Sequence, residues 1–138
     1  MRELEAADLI VHVGDFTSRA VLDELRAYAP VEAVYGNMDD EALREELPLA
    51  RVVEVGGARV GVIHIPGPRA GRAERLVGRF AGCAAVVYGH THVPEATRHG
   101  GVWILNPGSP TERRRSPAHT MIRLVITDST LLPEVLTL

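Results

Sequence analysis

Four times in this chain a short run of branched and aromatic apolar residues stops at a glycine or a histidine. Leu9 to Val13 stops at Gly14-Asp15, and Val31 to Tyr35 stops at Gly36-Asn37. Val60 to Ile63 runs into His64, and Val86-Val87-Tyr88 ends at Gly89-His90-Thr91-His92-Val93-Pro94. Apolar runs of this length between turn residues read as buried strands. A glycine at the strand end lets the backbone turn sharply or take positive φ, which can aim two imidazoles into one cleft.

The segments between these runs complete a layered α/β pattern. Thr17 or Ser18 can cap a helix to about Tyr28, with Val21, Leu22 and Leu25 as its apolar stripe, and Pro30 ends it. Strand, helix and strand at this spacing form a βαβ unit with parallel pairing. A short acidic helix follows from Glu41 to Leu47. Arg51 to Val55 and Ala58 to Ile63 flank Gly56-Gly57, a hairpin signature. Arg72 to Ala81 reads as a helix with Leu76 and Phe80 facing inward. A second hairpin spans Glu95 to Leu105 about Gly100-Gly101, and two last strands lie around Asp128-Ser129.

With 138 residues and no long linker, the chain is expected to form one domain over residues 1–138. The net charge of −3 gives no global electrostatic case for binding nucleic acid. Cys83 is the single cysteine, so an intramolecular disulfide is ruled out and a cytoplasmic setting is expected. No leader-like or membrane-length apolar stretch is present, so no membrane partner is expected.

The chemistry-bearing residues are positional. Asp15, Asn37, His64, His90 and His92 all fall just after apolar strands. In layered α/β proteins the carboxyl ends of strands border the ligand crevice, so these loops can converge. A carboxylate, an amide oxygen and three imidazoles form a mixed oxygen and nitrogen set, suited to Mn, Fe, Zn or Co rather than to Ca. Each residue also has a plain structural use: Asp15 as a cap, Asn37 at a left-handed turn, His64 as a bonded core histidine. His12, His99 and His119 read as ordinary.

Gly14-Asp15, Gly36-Asn37-x-Asp39, His64, Gly-His-Thr-His at 89–92 and Asn106-Pro107-Gly108-Ser109 follow one another in an order that resembles the calcineurin-like metallophosphoesterases. The likeness is greatest to their small, YfcE-type phosphodiesterase branch. It implies two packed mixed β-sheets flanked by helices, a four-layer α/β sandwich, with a dinuclear metal site at the strand ends. It also implies that Asp15 bridges two cations, that Asn37, His64 and His90 complete one site, and that His92 belongs to the other. The implied cofactor is a pair of divalent ions, Mn²⁺ first, with Zn²⁺, Fe²⁺, Ni²⁺ or Co²⁺ as alternatives, and a single ion here.

The implied activity is hydrolysis of a small phosphoester by metal-activated water, with Asp15, Asn37 and His90 as the catalytic set. Asn37 and Arg113, within the run Arg113-Arg114-Arg115, would contact the substrate. Departures temper this. No Asp-x-His strand precedes Leu9, so the chain is expected to behave as an N-terminally truncated member with a depleted second site and impaired turnover. Met38 stands where many members place a histidine, and His64-Ile65-Pro66-Gly67 where many have His-Gly. A weakly active or inactive binding module of the same fold is the alternative. An exposed sheet flank would favour a homo-oligomer.

Overall fold

A computed structural model of the chain describes residues 6–16, 19–37, 39–108 and 120–137. β1 (Ile10–His12) and β2 (Val31–Ala33) run parallel, with Ile10 opposite Val31 and His12 opposite Ala33. α1 (Arg19–Arg26) connects them, burying Leu22 completely. α2 (Glu41–Glu46) starts at Asp40, whose carboxylate accepts the Leu43 N–H at 2.9 Å and satisfies one of the open donors of the first turn. β1 and β2 are shorter than the apolar runs that contain them. The Val34 N–H still bonds the His12 carbonyl at 3.2 Å; after it the chain leaves the ladder, and the Tyr35 N–H bonds the Pro48 carbonyl.

The main sheet has five strands in the order β3-β4-β5-β7-β6. They are β3 (Ala50–Val55), β4 (Ala58–Ile63), β5 (Ala85–Tyr88), β6 (Glu95–His99) and β7 (Val102–Asn106). The central strands β4, β5 and β7 are mutually parallel, whereas β3 and β6 pair antiparallel at the edges. Parallel strands covered on both faces need apolar residues on both faces, and the central strands supply them. Val60, Val62, Ala85 and Leu105 point to one side. Ile63, Val86, Tyr88 and Ile104 point to the other, where α3 (Arg72–Arg79) and the following Phe80 cover them with Leu76.

The first side of the sheet packs on a second β layer. Leu9, Val11, Val13 and Val34 reach it from the β1–β2 unit. Ile122, Leu124, Ile126 and Leu131 reach it from the hairpin of β8 (Thr120–Thr127) and β9 (Thr130–Thr137). α1 and α2 close the outside of β1–β2 through Leu22, Leu43, Leu47 and Phe16. Helices, two β layers and a helix therefore stack as expected. One detail differs from two continuous mixed sheets. Among the described residues the second layer consists of a parallel pair and an antiparallel pair that are not hydrogen-bonded to each other.

Specific polar ties join the layers. Arg51 on β3 donates to the Ala33 carbonyl at 3.2 Å and pairs with Glu32 at 2.6 Å, covering the outer edge of β2. At the far end, Ser129 between β8 and β9 donates through its N–H to Gly56 (3.0 Å) and through its hydroxyl to Gly57 (2.9 Å). No helix among the described residues is long and apolar enough to cross a membrane.

Candidate functional site

β1, β2, β4 and β5 all deliver their carboxyl ends to one edge of the molecule. The loops after β1 and β2 touch through backbone there. A Cβ on Gly14 would lie 2.6 Å from the Gly36 nitrogen, and one on Gly36 would lie 2.2 Å from Asp15 Oδ1. Only glycine at both positions permits this approach, and it brings Asp15 beside Asn37. The loops after β4 and β5 are joined in turn by the Gly89 N–H on the His64 carbonyl at 3.0 Å.

Three of the site candidates hold backbone conformations that side chains rarely adopt. Asp15 has φ 61°, His90 φ 71° and His92 φ 59°. Non-glycine residues in this region cost about 1–2 kcal/mol each, and such residues cluster where a side chain must be aimed.

The heads of Asp15, Asn37 and His90 meet around His64, which is buried. Its Nδ1 lies 2.7 Å from the Val13 carbonyl, which can only accept, so Nδ1 carries the ring proton. Its Nε2 then faces Asn37 Oδ1 at 2.8 Å and Asp15 Oδ2 at 3.2 Å. Asn37 Oδ1 is also 3.2 Å from His90 Nδ1, and the two imidazoles stand edge to face at 5.4 Å. Burial pushes the His64 pKa below the usual imidazole value, with the Asp15 carboxylate opposing the shift. Asn37 and His90 are exposed, so the cluster opens from a buried imidazole toward solvent.

These atoms suit a divalent cation. A neutral imidazole with its proton on Nδ1 turns the Nε2 lone pair toward oxygen acceptors, an arrangement that calls for an electron-poor centre among them. Neighbouring donors around an octahedral cation bound at about 2.1 Å stand about 3.0 Å apart, close to the separations here. The amide oxygen is essential to the set: among the described residues no group of three or more His, Cys, Asp or Glu is placed to hold an ion.

The other candidates divide. His92 lies two residues beyond His90 on the same loop and is half-buried. Asn106 is buried and buttresses that loop, donating to Thr91 Oγ1 at 2.9 Å and accepting the Gly108 N–H at 2.9 Å. Arg113 and its neighbours, Met38, Ser109, His119 and the Thr17/Ser18 cap lie outside the described residues.

The roles of four residues escaped the sequence reading. His12, taken there as ordinary, accepts the Gly14 N–H on Nδ1 at 3.0 Å and stacks on Phe16 at 3.7 Å. Burial lowers its pKa to about 4, against the pull of Asp39 and Asp15. Asp39 accepts backbone N–H bonds from both glycine loops. Arg75 reaches back from α3 to the carbonyls of Pro66 (3.4 Å), Pro68 (2.6 Å) and Ala70 (3.0 Å), while Arg72 holds that of Gly67 at 3.1 Å. Together they fix the loop that follows His64. Only the Arg-rich start of α3 hinted at this.

Comparison with known proteins identifies the family. Residues 1–129 match the model of the calcineurin-like phosphoesterase superfamily domain. The chain is 38% identical over 129 residues to a probable metallophosphoesterase of Methanocaldococcus jannaschii, covering 91% of this chain and 65% of that protein. It therefore spans about two thirds of the length of that relative. A Streptococcus pneumoniae protein described as a predicted phosphoesterase superposes with TM-score 0.77 at 28% identity, over 99% of this chain and 77% of that one. Vps29 of Entamoeba histolytica, solved with Zn²⁺, shares the fold with TM-score 0.78 at 24% identity, over 99% of this chain and 86% of that one. The chain belongs to the calcineurin-like phosphoesterase superfamily.

Proposed function

We propose that this protein is a metal-dependent phosphoester hydrolase acting on a small phosphodiester or phosphomonoester. Asp15, Asn37, His64 and His90 would hold a divalent cation, with His92 and a share of Asp15 available to a second. Mn²⁺ is the first candidate, and Zn²⁺, Fe²⁺, Ni²⁺ and Co²⁺ fit the same donors. Such a cation, when bound, offsets phosphate charge and lowers the pKa of a bound water.

The chain's own residues do the rest. Val13 fixes the His64 tautomer, so that Nε2 carries the lone pair a cation would take. Asp15 offers two carboxylate oxygens and can serve two cations. Asn37 presents an amide whose NH₂ can donate to a phosphate oxygen while its carbonyl oxygen serves the site. His90, exposed like Asn37, would face the substrate, and Arg113 would clamp a second phosphate oxygen.

The single observation that carries this reading is the meeting of His64 Nε2, Asn37 Oδ1, Asp15 Oδ2 and His90 Nδ1 within 2.8–3.2 Å of their neighbours. The test is hydrolysis of bis-p-nitrophenyl phosphate and p-nitrophenyl phosphate after chelation and reloading with each metal. Activity should vanish with chelator and return with at least one metal. Turnover unaffected by chelation would overturn the proposal.

A second reading, a binding module of this fold, is favoured by Met38, which stands where many members place a histidine and can neither donate a proton nor bind phosphate. Stoichiometric metal binding without turnover would select it.

A further inference from the structure

We infer that Asp39 is a positioning residue that sets the separation between Asp15 and Asn37, and through it the affinity of the site for a divalent cation. The inference rests on the metal-binding reading above. Asp39 is buried, and one atom of it, Oδ2, accepts the Asp15 N–H at 2.9 Å and the Gly36 N–H at 2.7 Å. Asp15 is itself a candidate ligand, and Gly36 directly precedes Asn37. A single oxygen thus holds both candidate-bearing loops to one point.

The surroundings make this clamp stiff. The Asp39 N–H returns to the Gly36 carbonyl at 3.2 Å. Asp15 is held with φ 61° while Gly14 and Gly36 touch. The two hydrogen bonds to this one oxygen fix both loops at once. They oppose the relaxation of Asp15 to an ordinary φ, which would carry its carboxylate away from His64 and Asn37.

Calorimetric titration of the metal-stripped full chain with Mn²⁺ and with Zn²⁺ tests this. Asp39→Ala and Asp39→Glu should each weaken binding about 10- to 100-fold, the range for losing a residue that orients ligands. Glutamate keeps the charge and misplaces the oxygen. Asp39→Asn keeps an oxygen acceptor at the same place and should bind within about threefold of the parent.

Asp40→Ala removes a helix cap and lowers stability but should leave affinity unchanged, which separates positioning from general destabilisation. Amide hydrogen exchange at Asp15 and Gly36 should quicken in Asp39→Ala and Asp39→Glu, a readout that needs no metal. Wild-type affinity in Asp39→Glu, or a loss in Asp39→Asn equal to that in Asp39→Ala, would overturn the inference. A parent that binds neither ion would sink the functional proposal, and the affinity claim with it.

Discussion

The two ends of the five-stranded sheet use left-handed backbone for different ends. Away from the site, the β3–β4 and β6–β7 turns are Gly56-Gly57 and Gly100-Gly101, all with positive φ. Glycine adopts that conformation without steric penalty. At the site end, Asp15, His90 and His92 hold similar angles with full side chains. Asp128 and Ser129 show that the far end is not free of such residues, but there Ser129 uses the geometry to bond Gly56 and Gly57. The contrast teaches that strain is kept where a particular side chain must be aimed and dispensed with where only a reversal is needed.

His90→Gly should break this contrast most sharply. Removing the imidazole should cost about 100-fold or more in metal-dependent hydrolysis, since a cation contributes several kcal/mol and each ~1.4 kcal/mol is tenfold. Urea denaturation of the chelated protein should meanwhile show stability unchanged or raised by up to ~1 kcal/mol, because glycine relieves the left-handed φ. A variant that loses stability in step with activity would mean His90 is structural.

At the far end, glycine replacements should behave in the opposite way. Gly56→Ala places a Cβ 2.6 Å from Ile126 Cγ2 at φ 58°. It should lose about 2–3 kcal/mol through strain and overpacking. Gly100→Ala has the same φ of 58° and nothing within 4 Å, so only about 1 kcal/mol is at stake. Activity per folded molecule should be unchanged in both. Equal losses at the two positions would show that packing against the β8–β9 hairpin adds nothing.

The smallest effect concerns pH. His12 is neutral in the fold, with its pKa lowered to about 4 from 6.5 by burial. The unfolded chain therefore binds the extra proton first as pH falls, so stability is fully present above about 6.5 and declines toward 4. Because the ring is partly exposed, a loss on the order of 1 kcal/mol is expected between pH 7 and 5 in chelated protein. His12→Asn, which can still accept the Gly14 N–H, should flatten the slope. An unchanged slope would place the titration elsewhere.

Much of this was readable from local pattern. Gly56-Gly57 and Gly100-Gly101 between apolar runs gave both hairpins, and strand-ending Asp15, Asn37, His64 and His90 do come together. What escaped depends on contacts between distant segments. Asp39 could be quoted within a motif, but its role needs Gly14 and Gly36 to touch. His12 sits in a strand like any core residue until its Nδ1 is seen to accept from Gly14. The division of the second β layer depends on which strands hydrogen-bond to one another, which alternation of apolar residues does not encode.

The loop after His64 has a further consequence for how such a protein can change. Arg75 and Arg72 grip it solely through main-chain oxygens, those of Pro66, Gly67, Pro68 and Ala70. Every amino acid carries that oxygen. The shape of this wall is thus set by two helix residues together with Pro66, Pro68 and the positive-φ Gly67 and Gly71. Exposed loop positions such as Ile65 and Arg69 are free to vary, and new side chains can be presented beside the cluster without disturbing the backbone that displays them.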